Sequence, residues 1–229
     1  MDKKTFIPFV AATLLLGSVT TADAGTYKCP RKVAYAYASL FADEVVKVYK
    51  DVYQALGCKT EFVALPAKRI TASFRNGEVD GDVYRFDLIE KSYDFAFTRS
   101  LVPLFYVSTY LYQRTNAPTE GPRRYGYMRG VKWQEGYAAK HEHGMPFYNE
   151  KKLFDKYERG QLDRFLSGAF RVNYRIQTGE FKDKPVPVER VLRKPLWHYL
   201  HGDYKLFMKA FSSYATRHQS FAGIEKLAD

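Results

Sequence analysis

The residues best equipped for chemistry are three arginines and two tyrosines: Arg69, Arg85, Arg129, Tyr37 and Tyr84. A guanidinium stays charged at every working pH and can pair with a carboxylate through two parallel hydrogen bonds. Arg69 stands near the start of an expected helix, where backbone N–H groups also favour an anion. Tyr37 and Tyr84 offer flat faces and hydroxyls suited to the wall of a small-molecule pocket. Other clusters are weaker. His141-Glu142-His143 and His198-Tyr199-Leu200-His201 carry zinc-ligand residue types. The two pairs fall in different parts of the chain, so no metal site is expected. Glu44, Asp82 and Asp87 could serve as acid–base groups, yet no paired-carboxylate signature stands out. With no nucleophile elbow, phosphate loop or zinc-protease motif in the sequence, neither catalysis nor a cofactor is expected.

Elements must hold these residues in place. Val33 to Tyr37 reads as a strand, and Val45, Val48, Tyr49, Val52 and Leu56 recur at helical spacing before a capping Gly57. Cys58 to Leu65 alternates as a second strand. Pro66 opens a helix that runs through Phe74 and stops at Asn76-Gly77, and Val79 to Tyr84 is a third strand. Helical crossovers force the three strands to lie parallel. Ligands of open parallel sheets sit beyond the strands' carboxyl ends. Those ends are Tyr35–Ser39, Pro66–Arg69 and Tyr84-Arg85.

A second half repeats the first. Phe74-Arg75-Asn76-Gly77-Glu78-Val79-Asp80 and Tyr157-Glu158-Arg159-Gly160-Gln161-Leu162-Asp163 share one pattern: aromatic, two polar residues, Gly, polar, aliphatic, Asp. Each closes a helix with a left-handed glycine and opens a strand. Two similar α/β lobes are expected, joined by two hinge strands. The β-rich stretch Val107–Arg114 makes one crossing, followed by a linker at Asn116–Pro122. Pro185–Val188 makes the other, and a helical stripe of Leu206, Phe207, Ala210, Phe211 and Tyr214 returns to the first lobe. The expected division is residues 25–116 for the first part of lobe 1, 117–190 for lobe 2 and 191–229 for the return to lobe 1.

With 46% hydrophobic and 27% charged residues, the composition is that of a chain with a buried core. Residues 1–24 have a basic start, an apolar run from Phe6 to Gly17 and the small-x-small ending Ala22-Asp23-Ala24. That is the pattern of a secretory signal cut before Gly25, so export is expected. No apolar run reaches the roughly 18 uncharged residues of a membrane span. The formal charge of +11 is spread along the chain between carboxylates, and no nucleic-acid-binding motif accompanies it. A nucleic-acid partner is not expected. Cys29 and Cys58 precede two strands that should be neighbours, and in an oxidising compartment they are expected to form a disulfide.

The run Leu65-Pro66-Ala67-Lys68-Arg69, followed by Phe74 through Arg85, resembles the bacterial periplasmic solute-binding proteins of the family 3 type. Tyr127-Met128-Arg129-Gly130 resembles the opening of their second lobe, and Trp197-His198-Tyr199-Leu200-His201 a tail found in a divergent branch. The likeness spans nearly the whole mature chain. It implies the type II periplasmic-binding-protein fold, a monomer, and closure on a small polar, amino-acid-like ligand that is passed to a membrane permease or sensor. The sequence departs from the family at one point. The stretch Asp87–Tyr93 lacks the family's carboxylate-gripping Arg, and Arg85 stands soon after Asp82 instead. An alternative is a periplasmic enzyme on the same scaffold, of a dehydratase kind.

Overall fold

The computed structural model describes residues 27–36, 40–117 and 124–229. The expected export signal (1–24), Tyr37 and residues 118–123 of the linker region lie outside the described residues. The chain opens as expected with β1 (Lys32–Ala36), α1 (Leu40–Ala55), β2 (Glu61–Leu65), α2 (Ala67–Arg75) and β3 (Gly81–Arg85). Strand β1 lies between β2 and β3, parallel to both. Two strands begin later than the sequence pattern predicts. Cys58 donates its N–H to the Tyr53 carbonyl, so it still belongs to the end of α1. Asp80 turns its carboxylate back onto the Arg31 and Lys32 amides, at 2.6 and 3.0 Å, and β3 starts only beyond it.

A short 3-10 turn at Asp87–Ser92 leads to β4 (Phe97–Arg99) and then to the long β5 (Phe105–Gln113). The second half follows as β6 (Tyr125–Met128), α3 (Lys132–Ala138), β7 (Gly144–Phe147), α4 (Glu150–Glu158), β8 (Arg164–Gly168) and α5 (Ala169–Gln177). Strand β9 (Val186–His201) then runs back, and α6 (Lys205–Arg217) and α7 (Ala222–Ala228) complete the described chain. The pairing gives two sheets of like plan. One orders its strands β2-β1-β3-β9, with β4 on the far side of β9; the other orders them β7-β6-β8-β5-β9. In each, three parallel strands meet an antiparallel fourth. Strand β9 belongs to both sheets: Val186–Leu196 pairs with β5, and Trp197–His201 with β3 and β4.

The repeated motif folds the same way twice. Gly77 and Gly160 have φ of +70° and +69°, the left-handed region that glycine enters without a Cβ penalty. Each donates its N–H to the aromatic residue three back, Phe74 or Tyr157, and the next residue bonds five back, to Ser73 or Lys156. These paired bonds end α2 and α4 alike.

Strand alternation divides each core in two. Val33 faces Tyr49, Tyr53, Phe207 and Phe211 under α1 and α6, while its neighbour Ala34 faces Ile70, Phe74 and Tyr199 under α2. Phe165 and Leu166 divide the second lobe likewise. Each such fully buried ring contributes about 1.5–3 kcal/mol. The expected α6 stripe is displaced by one residue. Leu206 is 66% exposed, and the buried face is Phe207, Met208, Phe211, Ser212 and Ala215, because Phe207 and Phe211 seat against Tyr53. Cys29 and Cys58 form a disulfide at the head of β1 and β2. Among the described residues, no helix is long and apolar enough to cross a membrane.

Candidate functional site

The carboxyl ends of β1 and β8 come together between the lobes. Phe41 lies in the first turn of α1, just after β1, and Phe170 in the first turn of α5, just after β8. Their rings touch, with centroids 4.3 Å apart. Around this contact opens a cavity of about 660 Å³. Phe41 and Asp43 line it from the first lobe, Val107–Thr109 from strand β5, and Glu150 and Gly168–Arg171 from the second. Its walls are aromatic and its edges charged. Tyr174 stacks on Phe170, and Arg171 is paired with Glu150 at 2.5 Å. Such a lining suits an organic solute with polar ends.

Of the residues singled out in the sequence, those that are described do not line this cavity. Tyr84 comes nearest: its ring meets Phe41 edge-on at 5.7 Å and Phe105 at 6.4 Å, which puts it one ring behind the wall. Arg69 is exposed on the first turn of α2, with its charge felt at Glu78. Arg129 is exposed just after β6, donating to the Tyr148 hydroxyl at 2.7 Å. Arg85 is largely buried, and its Nε donates to Asp82 at 2.5 Å. Tyr37 is outside the described residues.

The Asp82–Arg85 pair is the main electrostatic feature of the first lobe. Burial pushes the Asp82 carboxyl up to about 6, and Arg85 and the Tyr84 amide only partly offset that. Next to it His198 is wholly buried, which pulls its imidazole down to about 3 and keeps it neutral. Its Nδ1 lies 2.9 Å from the Asp82 carbonyl, an acceptor only, so Nδ1 carries the proton. Nε2 therefore accepts from the Tyr53 hydroxyl, at 2.7 Å. This neutral bridge ties β9 to β3 and α1.

The remaining chemical candidates do not converge. His141 stacks on Tyr137, His143 is half exposed, and His201 packs on Phe74 and Phe95. Among the described residues, no three His, Cys, Asp or Glu side chains are grouped to hold a metal ion. Glu44 and Asp87 are exposed, and Asp82 is paired with Arg85.

Sequence reasoning missed Phe41, Phe170 and Arg171. The repeat carried the signal. If Gly160 matches Gly77, the segment after β8 is the counterpart of the one after β3, so Phe170 and Arg171 could have been read as strand-end residues of the second lobe.

No protein-family model matches the sequence, and no curated protein matches it significantly. Solved structures do match. The probable amino-acid ABC transporter extracellular-binding protein ytmK of Bacillus subtilis superposes with a TM-score of 0.64 at 11% identity, covering 88% of this chain and 96% of that one. The fold is that of two-lobed periplasmic binding proteins. Substrate binding domain 2 of GlnP from Lactococcus lactis, in an open conformation, gives a TM-score of 0.64 at 12% identity over 87% of this chain and 93% of that one. The periplasmic VFT2 domain of BvgS from Bordetella pertussis gives 0.58 at 15%, over 87% and 93%. The cavity beside Phe41 and Phe170 lies between the two lobes of this fold.

Proposed function

We propose that the protein is an exported solute-binding protein whose lobes close on a small polar solute, anionic or zwitterionic, and present it to a membrane permease or sensor. The observation that carries this reading is the interlobe cavity of about 660 Å³, to which both lobes and a crossing strand contribute. A ligand held by both lobes selects the closed arrangement. The fold likeness to an amino-acid transporter binding protein supports the same reading. Residues 1–24 direct export to the periplasm, where the protein acts as a monomer without a cofactor and without catalysis. Hydrogen bonding favours a lobe division at residues 100–104 and 195–197 over one at 116 and 190, because β5 pairs with β8 along Thr109–Gln113.

Arg69 and Arg129 are rim cations, one on each lobe, that draw in the solute's anionic group. Tyr84 backs the wall behind Phe41, and Tyr37 is a further ligand contact in this reading. Arg85 acts through Asp82, holding the floor of the first lobe. The test is native mass spectrometry of exported protein, together with thermal shift against amino acids and small carboxylates. A saturable rise in Tm without turnover is expected, and Arg69→Ala or Arg129→Ala should weaken binding by about 1.5–3 kcal/mol. Should no solute co-purify or raise Tm, the reading is wrong. Conversion of a bound solute would establish the dehydratase alternative.

A further inference from the structure

Helix α7 belongs to both sides of the hinge. Phe221, Ile224 and Ala228 are buried in the core of the first lobe, where Phe221 stacks on Phe105 and meets Tyr49 edge-on. The rest of α7 is tied to the crossing strands and to the second lobe. Asn173 of α5 donates to the Leu227 carbonyl at 3.1 Å. The Asp229 carboxylate accepts from Ser108 of β5 and from Arg193 of β9, and its carbonyl accepts from the Tyr110 hydroxyl at 3.1 Å. Arg193 also reaches Glu225 at 3.2 Å and lies over the Tyr106 ring at 3.7 Å.

From this we infer that α7 is a clasp across the hinge that holds the lobes in the arrangement where Phe41 and Phe170 touch. The inference rests on the lobe closure proposed above and names what governs it. A helix bonded to both lobes must slide against one of them when they part. Two features ease that sliding. A cavity of about 300 Å³ runs beside α7, lined among others by Pro103, Leu104, Thr216, Phe221 and Ala222, so the helix has unfilled space along one flank. The elbow between α6 and α7 turns at Gln219, whose φ of +49° is left-handed and strained for a residue with a side chain. The clasp atoms are polar and partly exposed, so each bond is of modest net worth and can exchange with water.

The experiment measures the distance between the lobes with no solute present. Spin labels are placed on Lys91→Cys in the first lobe and Lys152→Cys in the second, both exposed positions, and pulsed dipolar spectroscopy compares the parent with Asn173→Ala/Asp229→Ala. Removing these bonds should raise the ratio of the longer to the shorter separation about tenfold, the shift that roughly one net hydrogen bond makes. Tyr110→Phe, which deletes one hydroxyl, should move it the same way by less. An unchanged distribution in both variants overturns the clasp. The readout needs no ligand. A shifted distribution alongside a failed solute screen would keep the clasp and reject the solute-binding reading, and the opposite pair of results would do the reverse.

Discussion

Replacing Arg85 with alanine removes the cation that pairs with a buried carboxylate at hydrogen-bond distance, and its cost should depend on pH in a definite direction. The Asp82 side chain is 2% exposed, and its carboxyl is raised from 3.8 to about 6 even with Arg85 alongside. An acid whose pKa is higher in the fold than in the unfolded chain binds its proton more tightly when folded. Its contribution to stability is therefore complete below about pH 4 and is lost as pH rises through about 6. The shift corresponds to about 3 kcal/mol between those limits. Without Arg85 the folded value climbs further, and the window of loss extends past neutrality. At pH 5 Asp82 is mostly protonated in both proteins, so the variant should lose only about 1 kcal/mol of hydrogen bonding. At pH 8 it must either bury a lone charge or hold a proton against the solution, a loss of about 3–5 kcal/mol. Urea denaturation followed by circular dichroism at the two pH values measures both losses. If they are equal, or the larger is at pH 5, the reasoning about this pair is wrong. The same result bears on ligand studies: weaker binding by Arg85→Ala near pH 8 would first have to be separated from partial unfolding, a confusion that Arg69→Ala and Arg129→Ala avoid.

Three further substitutions test the frame around the site. A Cβ at Gly81 would overlap the Tyr199 carbonyl oxygen and the Leu200 side chain on the paired strand. Gly81→Ala should thus cost about 2–3 kcal/mol in urea denaturation. Opening the Cys29–Cys58 disulfide with the double serine variant frees a loop with a sequence separation of 29. Loop entropy puts the loss at about 3–4 kcal/mol, measured against the oxidised parent. Gln219→Gly removes the side chain from a left-handed position. It should gain about 1 kcal/mol by the same measurement.

Much of this fold was legible because periodicity and capping agree. Val33 and Ala34 face opposite cores as alternation demands, and the two glycine caps are alike in sequence and in hydrogen bonding. Strand β9 was harder to read. Its register against β5 slips at two points, skipping Val191 and then Val188, so its alternation is broken where a strand would be sought. The Asp82–Arg85 pair was hidden for a related reason. Residues three apart on a regular strand point to opposite faces, but β3 shifts register against β9 between these two and brings both side chains together. Phe41 and Phe170 carry no local signal. Each is one among 17 phenylalanines, and only the meeting of two strand ends distant in sequence makes them a wall.

How the lobes can move follows from the two crossing strands. Strands β5 and β9 do not cross as independent tethers; they pair from Phe105↔Leu196 to Gln113↔Val186 and form one ribbon continuous with the second sheet. The Leu104 amide extends that ribbon to Leu196, and the Ser100 amide binds the His198 carbonyl within the first lobe. Between these anchors lie Leu101, Val102 and Pro103. The Leu101 amide bonds to the Ser212 hydroxyl of α6 rather than to a strand, and Pro103 has no N–H to give. Bending should therefore concentrate at 101–103, where no ladder resists it. This is also where α6 and α7 flank the crossing, with the smaller cavity beside them. A hinge placed there turns the second lobe against α7 before it disturbs either core. The clasp bonds at Asn173 and Asp229 thus break early in opening and re-form late in closing, which lets a handful of partly exposed polar atoms set the balance between two well-packed lobes.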